Sequence, residues 1–227
     1  MRYAIYYTPP REHPLTQTAA LWLGRDAYGS ADSGVGHEYE AFIGSPRRYG
    51  FHGTLKAPFR LANSVSENEL VEAFDAFLAK PRSVPVTKLG VGALGSFLAL
   101  VPSKDAPDAL RDLARQCVQS FEPFRAPLTE AEIQKRKPDA LTETQLAYLR
   151  RYGYPYVLDE FRFHMTLTGS VADDAFRGEL QEHLSNRFND ILSEPIHMKT
   201  LAIFVEREPG ADFEVFRAGD MVAIDEN

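Results

Sequence analysis

The apolar positions follow two periods, and the change from one to the other divides the chain into strands and helices. Residues 2–8 read as an opening strand, stopped by Pro9-Pro10. Leu15, Ala19, Leu21, Trp22 and Leu23 predict a short helix over 15–25, and the Gly-, Ser- and Asp-rich stretch 26–49 reads mostly as loop. A strand is expected over 50–61. Ser66 followed by Glu69 has the form of a capping box, and Leu70, Phe74, Phe77 and Leu78 then give one apolar helix face. Strands near 84–93 and 96–102 and a helix at 107–121 complete this run.

Residues 122–157 break the rhythm with Pro123, Pro127, Pro138 and the charged run Gln134-Lys135-Arg136-Lys137, and predict helices near 129–136 and 142–151. The first pattern then returns: a strand at 160–170, a helix at 172–192, strands at 196–205 and 213–217, and a short one at 221–225. The order strand, helix, strand, strand thus occurs twice, which indicates internal duplication of a domain-sized unit.

The two repeats open on nearly the same five residues. These are Phe51-His52-Gly53-Thr54-Leu55 and Phe163-His164-Met165-Thr166-Leu167, matching at four of five positions. From ordinary residue frequencies, two chance copies have a probability on the order of one in a hundred thousand. Side chains on a strand alternate faces, so His52, Thr54 and Lys56 are expected on one face, and His164, Thr166 and Thr168 on the equivalent one. A hydroxyl donates to phosphate oxygens, and an imidazole moves protons near neutral pH. Two such strands across a groove would supply a base, an acid and two phosphate-holding hydroxyls for in-line displacement at phosphorus.

These motifs resemble the paired His-x-Thr/Ser signature of the 2H phosphoesterase superfamily. Tyr49 to Phe59, Phe124-Arg125-Ala126-Pro127-Leu128, Gly153-Tyr154-Pro155-Tyr156 and Phe161 to Gly169 are similar to its phosphonate-metabolism branch, DUF1045. The resemblance implies an α+β, bilobed, pseudo-symmetric fold with two antiparallel sheets lining a central cleft and helices outside. It implies one catalytic domain over 1–227: a first lobe at about 50–121, the insertion at 122–157, a second lobe at about 158–227, and 1–49 completing both. It implies metal-independent hydrolysis of a small cyclic phosphate, with 5-phosphoribosyl 1,2-cyclic phosphate suggested by the phosphonate context. Catalytic roles carry over to His52 and His164, and substrate contacts to Thr54 and Thr166. Beyond these, Lys56, Arg162, Arg125, Tyr154 and Tyr6 are candidate cleft residues. RNA ends or 2′,3′-cyclic nucleotides are the alternative substrates, and a non-catalytic phosphate sensor is the alternative from another class.

Composition sharpens this. Net charge is −7, which disfavours a stable nucleic-acid complex and favours a small phosphorylated substrate. The single cysteine, Cys117, excludes a multi-thiolate metal site, and neither a cofactor nor a metal is expected. His13, His37, His183 and His197 have no partner at metal-ligand spacing and are read as non-catalytic. Gly90-Val91-Gly92 lacks the further glycine of a dinucleotide loop. No stretch is long and apolar enough to span a membrane. With no signal peptide in the opening residues, a cytoplasmic location is expected.

Overall fold

The structure, a computed structural model, describes residues 1–29 and 39–224; His37 lies outside them. In chain order it contains β1 (Arg2–Tyr7), α1 (Pro14–Leu23), α2 (Glu40–Tyr49), β2 (Gly53–Phe59), α3 (Glu67–Ala79), β3 (Val86–Thr87), β4 (Leu89–Leu94) and β5 (Phe97–Pro102). Then follow α4 (Asp108–Ser120), α5 (Glu130–Gln134), α6 (Glu143–Tyr152), β6 (Met165–Thr166), α7 (Asp174–Phe188), β7 (Ile196–His197), β8 (Thr200–Glu206) and β9 (Phe213–Asp220). The fold is α+β. The two expected antiparallel sheets are halves of one seven-stranded antiparallel sheet, ordered β4-β5-β6-β2-β1-β8-β9, while β3 and β7 form a separate two-stranded ladder.

The two motif strands meet at the middle of this sheet. Gly53 pairs with Met165, and these are the equivalent central residues of the two motif copies. A local pseudo-two-fold axis therefore passes through this pair. The hairpins are exchanged about it. β4 and β5, which follow the first motif in sequence, extend the sheet beside the second motif on β6, whereas β8 and β9, which follow the second, extend it through β1 beside the first.

Strand periodicity sorts the two sheet faces. On β1, Tyr3, Ile5 and Tyr7 join the main core, which also holds Trp22, Phe74, Leu113, Leu180 and Leu184 from the helices. Ala4 and Tyr6 point the other way, into a small cluster with Ala202, Phe204 and Phe213. The helices that supply most of this core, α1, α3, α4 and α7, thus cover one face, and the His/Thr motifs lie on the other. The α3 cap forms as expected: Ser66 and Glu69 satisfy each other's backbone N–H groups.

Three expectations change. The stretch at 26–49 contains α2, despite Gly44 and Pro46 inside it; burial of Ile43 and Pro46 overrides their poor helix propensity. The strand expected over 160–170 shrinks to Met165–Thr166, because Leu167 and Thr168 both donate to the Leu98 carbonyl, at 2.9 and 3.1 Å, and the chain then turns toward α2. Of the strand expected at 221–225 the described residues 221–224 show an isolated bridge, Arg82 with Ala223, and Val222 donates to Leu78 near the end of α3.

Gly53 shows why the motif copies differ at their centre. A Cβ there would sit 2.4 Å from Cε2 of Phe163 and 2.6 Å from its Cζ. Phe163 is a buried ring of the main core and has little room to yield. Gly53→Ala is therefore expected to cost about 1–3 kcal/mol as an overpacking substitution, and to lower the thermal midpoint by roughly 2–4 °C per kcal/mol. Urea denaturation measures it, and unchanged stability would show that the ring is free to move.

Candidate active site

Both motif histidines are fixed in the same way. Nδ1 of His52 lies 2.8 Å from the Gly50 carbonyl, and Nδ1 of His164 lies 2.8 Å from the Arg162 carbonyl. A carbonyl only accepts, so each Nδ1 carries the proton and donates it. In the neutral ring Nε2 is then the basic atom. The Thr54 hydroxyl is 3.2 Å from Nε2 of His52 and can donate to it. Continuing the antiparallel register one step either side of Gly53–Met165 sets His52 opposite Thr166 and Thr54 opposite His164. Residues in directly opposed positions on one face stand about 5 Å apart at Cβ, and diagonal ones about 7–8 Å. The four motif side chains thus form a compact square on one sheet face.

Two cavities flank this square. One, of about 320 Å³, is lined by His52, Thr54, Thr166, Tyr6, Tyr154 and Arg136, among others. The other, of about 370 Å³, is lined by His164, Thr54, Arg162, Tyr154, Tyr156 and Phe161, among others. Thr54, Ala57, Phe97 and Tyr154 border both.

The histidines differ in their surroundings. Tyr6 stacks on His52 with ring centroids 3.7 Å apart and a 17° interplanar angle, and Phe204 and Tyr49 stand at 6.0 and 6.3 Å. This aromatic nest leaves the imidazole only an edge toward the cavity. Burial pushes the His52 pKa down from 6.5 to about 4; the Gly50 carbonyl opposes the shift, and positive charge on nearby His164 adds to it. Among the described residues His164 has one aromatic neighbour of this kind, Phe97, at 5.8 Å and tilted. Burial also holds the Tyr6 phenol well above its ordinary pKa, so Tyr6 stays protonated.

The remaining candidates divide. Tyr6, Tyr154 and Arg162 border the cavities. Lys56 does not, and the placement on the His52 face is corrected. Along β2, Tyr6 pairs with Thr54 and the adjacent Ile5 pairs with Lys56, so Leu55 is an extra residue in a β-bulge. The bulge turns Lys56 to the helix face, where it is 2% exposed and donates to Glu122 at 2.8 Å and to the Val118 carbonyl at 3.2 Å. Arg125 is likewise committed, to Glu122 and to the carbonyls of Ala126 and Arg151. Of the other described histidines, His13 caps α1, His183 packs near Trp22 and Tyr39, and His197 pairs with Val86 in the small ladder. No group of three or more metal-ligating side chains occurs among the described residues, and no described helix is long and apolar enough to cross a membrane.

The sequence reading missed Phe97, Tyr49 and Arg2 at the cavities. Phe97 carried a legible signal, being the first apolar residue of the strand expected at 96–102; Tyr49 was marked only as the start of a resembling stretch, and Arg2 carried none.

A family profile named DUF1045 and described as "Protein of unknown function" matches residues 54–214. The chain belongs to the DUF1045 family. Two curated relatives are named ribose 1,5-bisphosphate phosphokinase PhnN. The one from Janthinobacterium sp. (strain Marseille) is 36% identical over 225 residues, covering 93% of this chain and 49% of the relative. The one from Laribacter hongkongensis (strain HLHK9) is 32% identical over 221 residues, covering 96% and 51%. This DUF1045 chain therefore spans about half the length of the curated relatives it matches. A solved structure titled "Crystal structure of phosphoesterase" aligns over 97% of this chain and 98% of its own, at 9% identity and a TM-score of 0.44.

The depressed His52 pKa links the site to stability. Between about pH 6.5 and about 4 the unfolded chain binds a proton at this position that the folded chain does not. The contribution of neutral His52 is complete above the unfolded value and drains as pH falls through that window, at up to about 1.4 kcal/mol per pH unit. His52→Gln is expected to flatten the acid limb of the stability profile by that slope. Urea unfolding of both proteins at about pH 7 and about pH 5 tests it; a wild type and variant that lose stability in parallel would show that His52 is not held neutral.

Proposed function

We propose that this chain is a metal-independent phosphodiesterase that hydrolyses a small cyclic ribose phosphate. The observation that carries the reading is the square of two histidines and two threonines, with both imidazoles in the same tautomer. The phosphate sits over the square, and the hydroxyls of Thr54 and Thr166 donate to its non-bridging oxygens. His52, held neutral by desolvation among its aromatic neighbours, takes a proton from water through Nε2 as the water oxygen bonds to phosphorus. The P–O bond to one ring oxygen breaks on the opposite side, and His164 gives that oxygen its proton. One water is added, the product is a phosphate monoester, and solvent restores both histidines.

A phosphorylated ribose fits the relatives, which are named for a ribose 1,5-bisphosphate reaction over a chain twice as long. 5-Phosphoribosyl 1,2-cyclic phosphate is the specific candidate. The kinase activity in those names is not assigned to this chain. A phosphate-binding loop of the P-loop type needs Gly-Lys followed by Ser or Thr, and none of the 15 glycines is followed by lysine. A 2′,3′-cyclic nucleotide is the second reading, favoured by Phe97, Tyr154, Tyr156 and Phe161 around the His164 cavity, where a base could stack.

His52→Ala and His164→Ala are each expected to lower kcat by about 10²–10⁴-fold. The double variant should fall little below the weaker single one, because the two act as a unit. Steady-state assays on cyclic phosphates measure this, and near-normal turnover by either single variant rules the mechanism out. Activity is also expected to survive prolonged EDTA treatment. Loss on chelation with recovery on adding zinc or manganese would reveal a metal requirement.

A further inference from the structure

The chain as a whole is acidic, yet one cavity beside the site is strongly basic. It encloses about 570 Å³ and shares Arg2, Tyr49, Pro58 and Arg136 with the His52 cavity. Six of its lining residues are cationic and two are acidic. Ion pairing does not cancel this excess. Arg60 is matched by Glu132 and Arg125 by Glu122, but Arg2 and Arg48 share the single carboxylate of Glu206. Lys135 and Arg136 form no ion pair among the described residues; the Arg136 guanidinium lies over the Tyr154 ring, 5.0 Å from its centroid. About three positive charges are left over, in a chain whose net charge is −7.

We propose that this basic cavity binds a second, non-reacting phosphate monoester of the substrate, with Arg136 at its junction with the His52 cavity. The proposal rests on the phosphodiesterase reading and narrows it to cyclic phosphates that carry another phosphate. A dianionic phosphoryl group suits the surplus charge, and a guanidinium offers it a planar two-pronged donor set. The role expected of Arg125 passes to Arg136 and Lys135, which follow α5 in the insertion. That segment is tied to the end of β2 by Ala126 donating to the Arg60 carbonyl and by the Arg60–Glu132 pair. A small substrate is favoured over a nucleic acid because the surplus is confined to one bounded cavity and the net charge repels a polyanion.

The test uses the full chain, a Lys135→Gln/Arg136→Gln double variant, and Arg115→Gln as a control that removes one exposed cation from α4. The kcat/KM of ribose 1,2-cyclic phosphate is measured with and without a 5-phosphate, and ribose 5-phosphate binding is measured by calorimetry, which needs no turnover. The wild type is expected to prefer the 5-phosphorylated substrate by roughly 10–100-fold. The double variant should lose most of that preference and bind ribose 5-phosphate at least about tenfold more weakly, while the control changes neither. Equal binding by wild type and double variant, or an equal loss in the control, overturns the proposal. So does faster turnover of an oligonucleotide ending in a 2′,3′-cyclic phosphate, which would make the cavity part of a nucleic-acid groove. If the wild type hydrolyses neither sugar but binds ribose 5-phosphate through Lys135 and Arg136, the phosphodiesterase reading fails and the phosphate subsite stands.

Discussion

The site depends on one backbone pairing, that of Gly53 with Met165. It joins two stretches separated by more than a hundred residues and fixes their register. Slipping it by one residue would turn one motif strand over against the other and send its imidazole to the helix-covered face, because strand side chains alternate. The pairing is short, since β6 has only two residues. It is held from both sides, by β1 along β2 and by β5 along β6, and from beneath by Phe163 filling the space that Gly53 leaves open.

The aromatic nest around His52 and the open edge of His164 break the symmetry that the motif suggests. Two imidazoles with the same tautomer and the same kind of backbone anchor are placed in environments that differ in solvation. Desolvation lowers the pKa of His52, so two copies of one motif acquire different local chemistry from their neighbours alone. The partners responsible, Tyr6 on β1 and Phe204 on β8, come from opposite ends of the sequence.

Much of this was legible in the sequence. The motif faces, the capping box at Ser66, the helices of the insertion and the duplicated order of elements all arise from local patterns, which a linear reading can follow. What escaped is tertiary. The bulge at Leu55 reverses the face of Lys56, and it shows only in the pairing of β2 with β1. α2 was hidden by Gly44 and Pro46, whose propensities are outweighed by burial of Ile43. Arg125 resembled a cleft cation until Glu122 was seen to hold both it and Lys56. Arg136 lay in a charge run that usually marks a solvated surface, and only the folded chain sets its guanidinium against Tyr154.

The exchange of hairpins about the central pair bears on how the protein folds. Neither sequence half can complete its own stretch of sheet: the hairpin made by the first half supports the motif strand of the second, and that of the second reaches the first motif through β1. The contacts that build the square therefore close some of the longest loops in the chain, and loop closure of that kind slows folding. A nascent chain released before β8 would present the open edge of β1, which is prone to pair with another molecule. Assembly of the His/Thr square and protection of the β1 edge thus arrive together, once β8 and β9 have been made.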